Sequence, residues 1–572
     1  MRKYVIQSMF AAVLAISVTS TACKQGDPNA LETHVKKLDE DESRGPAFQQ
    51  LERIVDGIAN DTDDVRRKEF AEKVLPKFEE IWDEAEPYRE QMLNMALAME
   101  RPEAAGIWSK ALVVDGSGEG HKQAVLALQG IRAANATDAS AAIVEQFTAL
   151  IENPGKDQGE GQDGALRYEM AKTLGELRAT EAVDVLISAL DQPEEKQPKA
   201  IFKAAIDALG QIGDPKATDA LIAVQFSVKD QASTQSIGER AVRALGAIGE
   251  PAVPKLIETM EGKNTKVNDL AAKNGLDVQI VQQSAVRILG VIGSRKATPA
   301  LVAYMPQRDC GEEPEELEDP GRAVGLRAFA ANAMGNIGDP AAVEALCSCR
   351  NATRNPGDLW EITSALGRIG GDEAYACLED IVKTGYYDPE EAVNSDFKYQ
   401  IRWDGARWMI LAAGPGNVAA AKAAIEGNDE KVKTEIENNG WLKGIAVLEE
   451  CKEDQACYEG VLGDATKDWF EREVAAFNFA RLAEPGDVEA ATKLAKGFKT
   501  RDPGARINIA LLTGRVAGDS DCQSCADALE AVMKSEKLTK KSDMQGAWLT
   551  ARQIIARVEA PGTTDDAAAE GE

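Results

Sequence analysis

AAIDALGQIGDPKATDALIAV, residues 204–224, is two apolar blocks joined by a turn. Ala204, Ala205, Ile206, Ala208 and Leu209 have helical spacing, and the block ends at Leu-Gly-Gln-Ile-Gly. Glycine tolerates positive φ at a helix C-terminus and lets a neighbouring backbone approach closely. Asp214-Pro215 then predicts a new helix, with Asp as N-cap and Pro in the first turn. Neither helix can bury its apolar side alone. The unit is stable only against further copies of itself.

Those copies are present. TLGELRATEAVDVLISAL occupies residues 173–190, ALGAIGEPAVPKLIETM 244–260 and ILGVIGSRKATPALVAYM 288–305. AMGNIGDPAAVEALCSC starts at Ala333, with Val343 and Leu346 at helical spacing in its second block, and ALGRIGGDEAYACLEDI starts at Ala365. The first glycines, Gly175, Gly210, Gly246, Gly290, Gly335 and Gly367, lie 35, 36, 44, 45 and 32 residues apart, a constant unit with insertions. These residues resemble HEAT repeats, especially the short Ala-rich class of phycobilin lyases, clearest over Leu166–Ile381. Weaker copies extend over 86–112, 121–151, 397–425, 469–498 and 505–533. The resemblance implies an all-α chain, an armadillo/HEAT-like α-solenoid of about thirteen helix pairs. Aromatics at 5% and abundant Ala agree, since sheets favour β-branched and aromatic residues.

The N-terminus carries an address. Arg2 and Lys3 precede an apolar run from Val5 to Val18, then Ser20, Thr21, Ala22 and Cys23. This is an export signal over residues 1–22, too short for a lasting membrane span. Ser-Thr-Ala-Cys resembles the lipobox of bacterial lipoproteins, with Ser20 where that motif prefers Leu. The resemblance implies lipidation of Cys23. Lys24, in place of Asp, implies the outer membrane, facing periplasm or cell surface. Residues 23–43 read as the lipidated cysteine and a tether, 44–163 as degenerate N-terminal repeats, and 164–384 as the well-matched repeats. Residues 385–560 read as divergent C-terminal repeats and 561–572 as a disordered tail.

Charge limits the partners. With 95 acidic and 65 basic residues the chain carries −30, and removing residues 1–22 takes it to −32. Nucleic-acid binding needs a basic stripe and is excluded as an expectation. The expected partners are basic or amphipathic segments of other envelope proteins, with the membrane reached only through the N-terminal lipid. Two insertions are the candidate contact loops. One holds Glu312, Glu313, Glu315 and Glu316; without the Asp-x-Asp-x-Asp-Gly spacing of a calcium loop it reads as a solvated acidic loop. The other begins a cluster of Tyr386, Tyr387, Phe397, Tyr399, Trp403 and Trp408 in a chain otherwise poor in aromatics. Aromatic side chains anchor interfaces, although the tryptophans suit a helix core equally.

Eight cysteines beyond Cys23 in an exported chain read as disulfides. Cys451 and Cys457 would clip one helical hairpin. Cys522 and Cys525 lie one turn apart at a helix start. The remaining four are assigned as Cys310–Cys349 and Cys347–Cys377. A four-thiolate zinc site from those last four fits no usual ribbon or finger spacing. Cys522-Gln-Ser-Cys525 has the form used for thiol exchange but lacks the surrounding βαβ pattern. No catalytic set, metal or cofactor is expected. Only His34 and His121 are present, so the repeated His-Glu pairs of a deoxyhypusine-hydroxylase-like di-iron site are missing. GPGNVA at residues 414–419 joins two helices and is a repeat turn, not a dinucleotide loop. The expectation is a scaffold without catalysis, the alternative a thiol–disulfide or other enzyme built on the same solenoid.

Overall fold

The computed structural model describes residues 31–59, 64–113, 118–154, 163–228, 236–307, 325–353, 356–385, 397–536 and 544–559. Among them every regular element is helical and no strand occurs. The chain is the all-α solenoid that its repeats require. It divides into two compact units, residues 1–113 with 122–139, and residues 114–121 with 140–572.

The smaller unit has an aromatic core. Phe48 of helix Asp41–Ile58 stacks on Tyr88 and Phe78 with ring centroids 4.6 and 5.5 Å apart. Trp108 is fully buried, and it fits because Gly130 faces it: a Cβ there would stand 2.5 Å from the indole. Buried Arg44 donates to the Leu38 carbonyl at 2.8 Å and pairs with Asp41 at 2.6 Å.

In the larger unit the first helices of successive pairs, Asp163–Glu176, Lys199–Ile212, Ile237–Ile248, Val278–Ile292, Gly325–Ile337 and Pro356–Ile369, lie side by side as an inner layer. Their first glycines set the spacing. A Cβ at Gly210, Gly290 or Gly335 would stand 2.9, 2.9 and 2.7 Å from the Cα of Ala244, Ala333 and Ala365. Each such Ala lies two residues before the next copy's own glycine, and Ala333-Met334-Gly335 supplies both a seat, for Ala365, and the piece that sits against Gly290. The second glycines, such as Gly293 and Gly338 with φ of 71° and 73°, end these helices in the left-handed region. Asp214 and Asp339 cap as expected, accepting from Lys216 and Ala341 backbone N–H at 2.8 and 3.1 Å. What they cap first is a short 3-10 turn, Pro215–Ala217 or Pro340–Ala342, which leads into the second helix.

The inner layer closes on itself. Helices Phe397–Ala412, Trp469–Leu482, Pro503–Ala517 and Gln545–Glu559 continue it, and the last packs against Ile237–Ile248. Arginines fasten this seam. Arg515 donates to the carbonyls of Gly335, Asn336 (3.2 Å) and Arg368 (2.6 Å), the ends of two inner helices. Cationic groups are favoured there because a helix C-terminus carries unpaired carbonyls and negative partial charge. A Cβ at Gly338 would collide with the Arg515 guanidinium, so this glycine is needed twice. Arg557 lies over Gly293 in the same manner, with Nη1 2.5 Å from where a Cβ would be. Deeper in, Arg407 donates to both oxygens of fully buried Glu473 at 2.8 Å, and Asn508 donates to Glu473 at 2.7 Å. Burial and the charges of Arg368, Arg557 and Arg295 push the Arg515 pKa down.

Replacing Gly335 by Ala is expected to destabilise the fold by about 1–3 kcal/mol, the range for overpacking a tight contact. Gly238→Ala, with nothing within 4 Å of the new methyl, is expected to be neutral or to add up to ~1 kcal/mol of helix propensity. Urea midpoints of the two variants against the parent check both. Arg515→Ala is expected to lose about 2–3 kcal/mol, the scale of hydrogen bonds made by a charged group. Arg515→Lys should recover only part of that, because an ammonium lacks the planar fork. Hydrogen exchange at residues 335–338 should quicken in the Ala variant.

Candidate functional site

The larger unit has two faces that offer contacts. Its outer face is built from turns and second helices. Lys and acidic residues pair there across neighbouring copies: Lys216 with Asp184 at 2.5 Å, Lys255 with Asp219 at 3.4 Å, Lys296 with Glu250, and Lys493 with Glu459 at 3.0 Å. Such exposed pairs contribute only about 0–1 kcal/mol each, so they decorate the stack and do not hold it.

The inner face is largely filled by the chain's own C-terminal helices, but a cleft remains between them and the first three inner helices. It has two lobes of about 460 and 440 Å³ that share Arg243, Ala556 and Glu559. The first lobe adds Arg178 and Arg240, the second Lys534 and Arg552. Helix Ile237–Ile248 carries Arg240 and Arg243 one turn apart, so both reach the cleft. Its acidic groups have defined neighbours. Asp207 pairs with Arg240, and Glu536 takes a two-pronged contact from Arg506 at 2.7 and 2.8 Å. Arg178 donates to the Glu559 carbonyl at 3.1 Å, while burial and the nearby Glu530 push the Glu559 carboxyl pKa up. Burial lowers the Arg243 pKa; Asp207 offsets this, and the like charges of Arg240 and Arg552 add to it.

Of the aromatic cluster, Tyr386 and Tyr387 lie outside the described residues. Phe397 opens helix Phe397–Ala412. Tyr399 is half-buried under the Lys431 ammonium, 4.7 Å from its ring centroid, and Trp403 is half-buried too. Trp408 departs from the contact role. It is 9% exposed, lies 5.5 and 5.1 Å from the guanidinium carbons of Arg368 and Arg407, and its ring fills the space left by Gly367. The glycine hole and the two cations make it core. Glu312, Glu313, Glu315 and Glu316 lie outside the described residues, as do Cys23 and Cys310.

Three cysteine pairs whose partners both lie among the described residues stand as disulfides. Cys451–Cys457 and Cys522–Cys525 have Cα separations of 5.3 and 5.2 Å, and Cys347–Cys377, at 6.1 Å, joins the second helices of successive copies. Cys349 is buried and disulfide-bonded as well. Cys522 and Cys525 are both fully buried, with the Thr492 hydroxyl 3.8 and 3.7 Å from their sulfurs. Among the described residues no group of three or more His, Cys, Asp or Glu is arranged to hold a metal, and no helix is long and apolar enough to cross a membrane.

Sequence reasoning missed the cleft on the inner face. One signal was available: Asp207 and Arg243 each lie three residues before a stacking glycine, placing charge on an inward ridge. What faces that ridge comes from residues 523–559, and no local pattern reveals it.

Residues 159–225 match the family HEAT repeats, and residues 239–262 and 326–350 match the PBS lyase HEAT-like repeat. No curated protein matches the chain. Solved structures similar to it include the karyopherin Kap121p bound to the extreme C-terminus of the protein phosphatase Cdc14p, at 11% identity and a TM-score of 0.32, covering 93% of this chain and 68% of that one. Human deoxyhypusine hydroxylase in complex with glycerol is similar at 19% identity and a TM-score of 0.20, covering 54% and 96%. An engineered protein is similar at 17% identity and a TM-score of 0.24, covering 79% and 98%.

Proposed function

We propose that this chain is an exported scaffold, anchored through lipid on Cys23 at the outer membrane, that holds basic or amphipathic segments of other envelope proteins and performs no catalysis. One observation carries the reading: the inner face is occupied by helices Pro503–Ala517 and Gln545–Glu559, so the long accessible surface is the outer one. Turns, second helices and the loops between them make that surface. The processed chain, with a net charge of −32, draws positively charged segments at long range, and the steering weakens with salt. In this reading Glu312, Glu313, Glu315 and Glu316 supply further charge, and Tyr386 and Tyr387 supply apolar anchors. A thiol-exchange enzyme is the lesser reading, because a reactive thiolate must reach its target and Cys522 and Cys525 are both fully buried.

Crosslinking in intact cells, followed by mass spectrometry of the linked peptides, tests the proposal. The expected result is Lys- or Arg-rich peptides of envelope proteins joined to outer-face residues, with yield falling as salt is raised in envelope extracts. Cys23→Ser should move the chain from the membrane to the soluble fraction. Crosslinks chiefly to nucleic acid would overturn the binding half, and unchanged membrane association of the Cys23→Ser chain the anchoring half.

A further inference from the structure

The contact that closes the inner layer is packed differently from the contacts within it. Neighbouring inner helices meet with no room for a methyl group at Gly210, Gly290 and Gly335. Helix Gln545–Glu559 instead meets helix Ile237–Ile248 beside the cleft, whose lobes of about 460 and 440 Å³ are lined by carboxylates and cations in equal number. Such a boundary buries less apolar surface than a glycine-tight one, and apolar burial is the main force between packed elements. Closure is a weak join that depends on the few groups fixing the end of the last helix.

The Cys522–Cys525 turn holds that end. The last carbonyls of a helix have no partner within it. Here the Cys522 backbone N–H donates to the Val558 carbonyl at 2.9 Å, and the Gln523 amide hydrogen-bonds the Glu559 carboxyl. From the other side Arg178, just past the end of the first well-matched inner helix, donates to the Glu559 carbonyl at 3.1 Å. Val558 and Glu559 are thus gripped between the turn and the first of those copies. Cys522 is the N-cap of helix Gln523–Ser535 and Cys525 lies in its first turn, so the bridge between them fixes where the Cys522 N–H points. Both cysteines are fully buried, with the Thr492 hydroxyl beside their sulfurs.

We propose that the Cys522–Cys525 bridge is a redox latch on the closed layer. Oxidised, it holds helix Gln545–Glu559 against helix Ile237–Ile248; reduced, it lets the last helix lift and uncovers the inner face beneath. The reductant is a dithiol. Its thiolate attacks Cys522 Sγ and Cys525 leaves as a thiolate, favoured by its place in a first helical turn. The second thiol of the reductant then displaces Cys522, so two electrons and two protons pass to the cysteine pair and the dithiol departs as a disulfide. Because the sulfurs are buried in the closed form, the reductant reaches them only when the helix end has lifted. Opening and reduction therefore favour each other. The inference does not rest on the scaffold reading, and either can fail without the other.

Hydrogen exchange read by mass spectrometry tests it on the full chain with its bridges formed and on a variant carrying Cys522→Ser with Cys525→Ser. Exchange across residues 545–559 is expected to quicken about tenfold or more in that variant, with residues 469–482 unchanged. Removing the other local bridge, by Cys451→Ser with Cys457→Ser, should leave residues 545–559 as they are in the parent. The reverse coupling keeps the test open if the first variant fails to fold. Arg178→Ala frees the Glu559 carbonyl, and dithiothreitol should then reduce Cys522–Cys525 about threefold faster or more, with Cys451–Cys457 reduced at the parent's rate. Unchanged exchange at residues 545–559 in a folded Cys522→Ser, Cys525→Ser chain overturns the proposal. Equal quickening on loss of Cys451–Cys457, or an unchanged reduction rate of Cys522–Cys525 in Arg178→Ala, overturns it too.

Discussion

A glycine pressed on the backbone of the next copy's alanine sets the distance between inner helices, and most of the molecule follows from that distance. At Gly210, Gly290 and Gly335 the contact is backbone to backbone, with no room for a methyl group. Helices this close bury Leu209, Leu245, Leu289 and Leu366 completely. They also hold their C-terminal turns in a row, which is where the seam arginines find carbonyls to bind. At Gly246 the partner is the Val291 side chain, and at Gly367 it is Trp408. The tight run thus ends where a large ring enters the layer.

The second constraint is electrostatic. An acidic protein that concentrates arginines on its inner side must give each a reason to stay there. Arg515 has three carbonyls, Arg407 has Glu473, and Arg506 has Glu536. Breaking one side of such a buried pair leaves the other side desolvated and unmatched, so these contacts fix register more than they add net stability. The exposed Lys–acid pairs of the outer face are of a different kind, screened by water and salt.

The helical class, the repeat and its turns were legible in sequence because they are written locally. Ala-Leu-Gly-x-Ile-Gly fixes a helix end, Asp-Pro opens the next element, and both recur with the period of the fold. Closure was not legible. It depends on Arg515 meeting Gly335 and on Arg178 meeting Glu559, partners 180 and 381 residues apart. Trp408 shows the same limit from the other side. Composition marks it as an unusual aromatic, but only Gly367 and the cations Arg368 and Arg407 reveal that it is enclosed. The cysteine pairs stand between these cases, two being local and Cys347–Cys377 following from one repeat length.

The closed seam has a consequence for how such a chain can vary over evolutionary time. An open array tolerates duplication or deletion of a copy, because each unit answers only to its neighbours. Here an added copy would rotate the terminal helix out of step with the turns that Arg515 and Arg557 cover. Lengthening a connecting loop would leave those arginine contacts in place, whereas inserting a whole copy between them would break them.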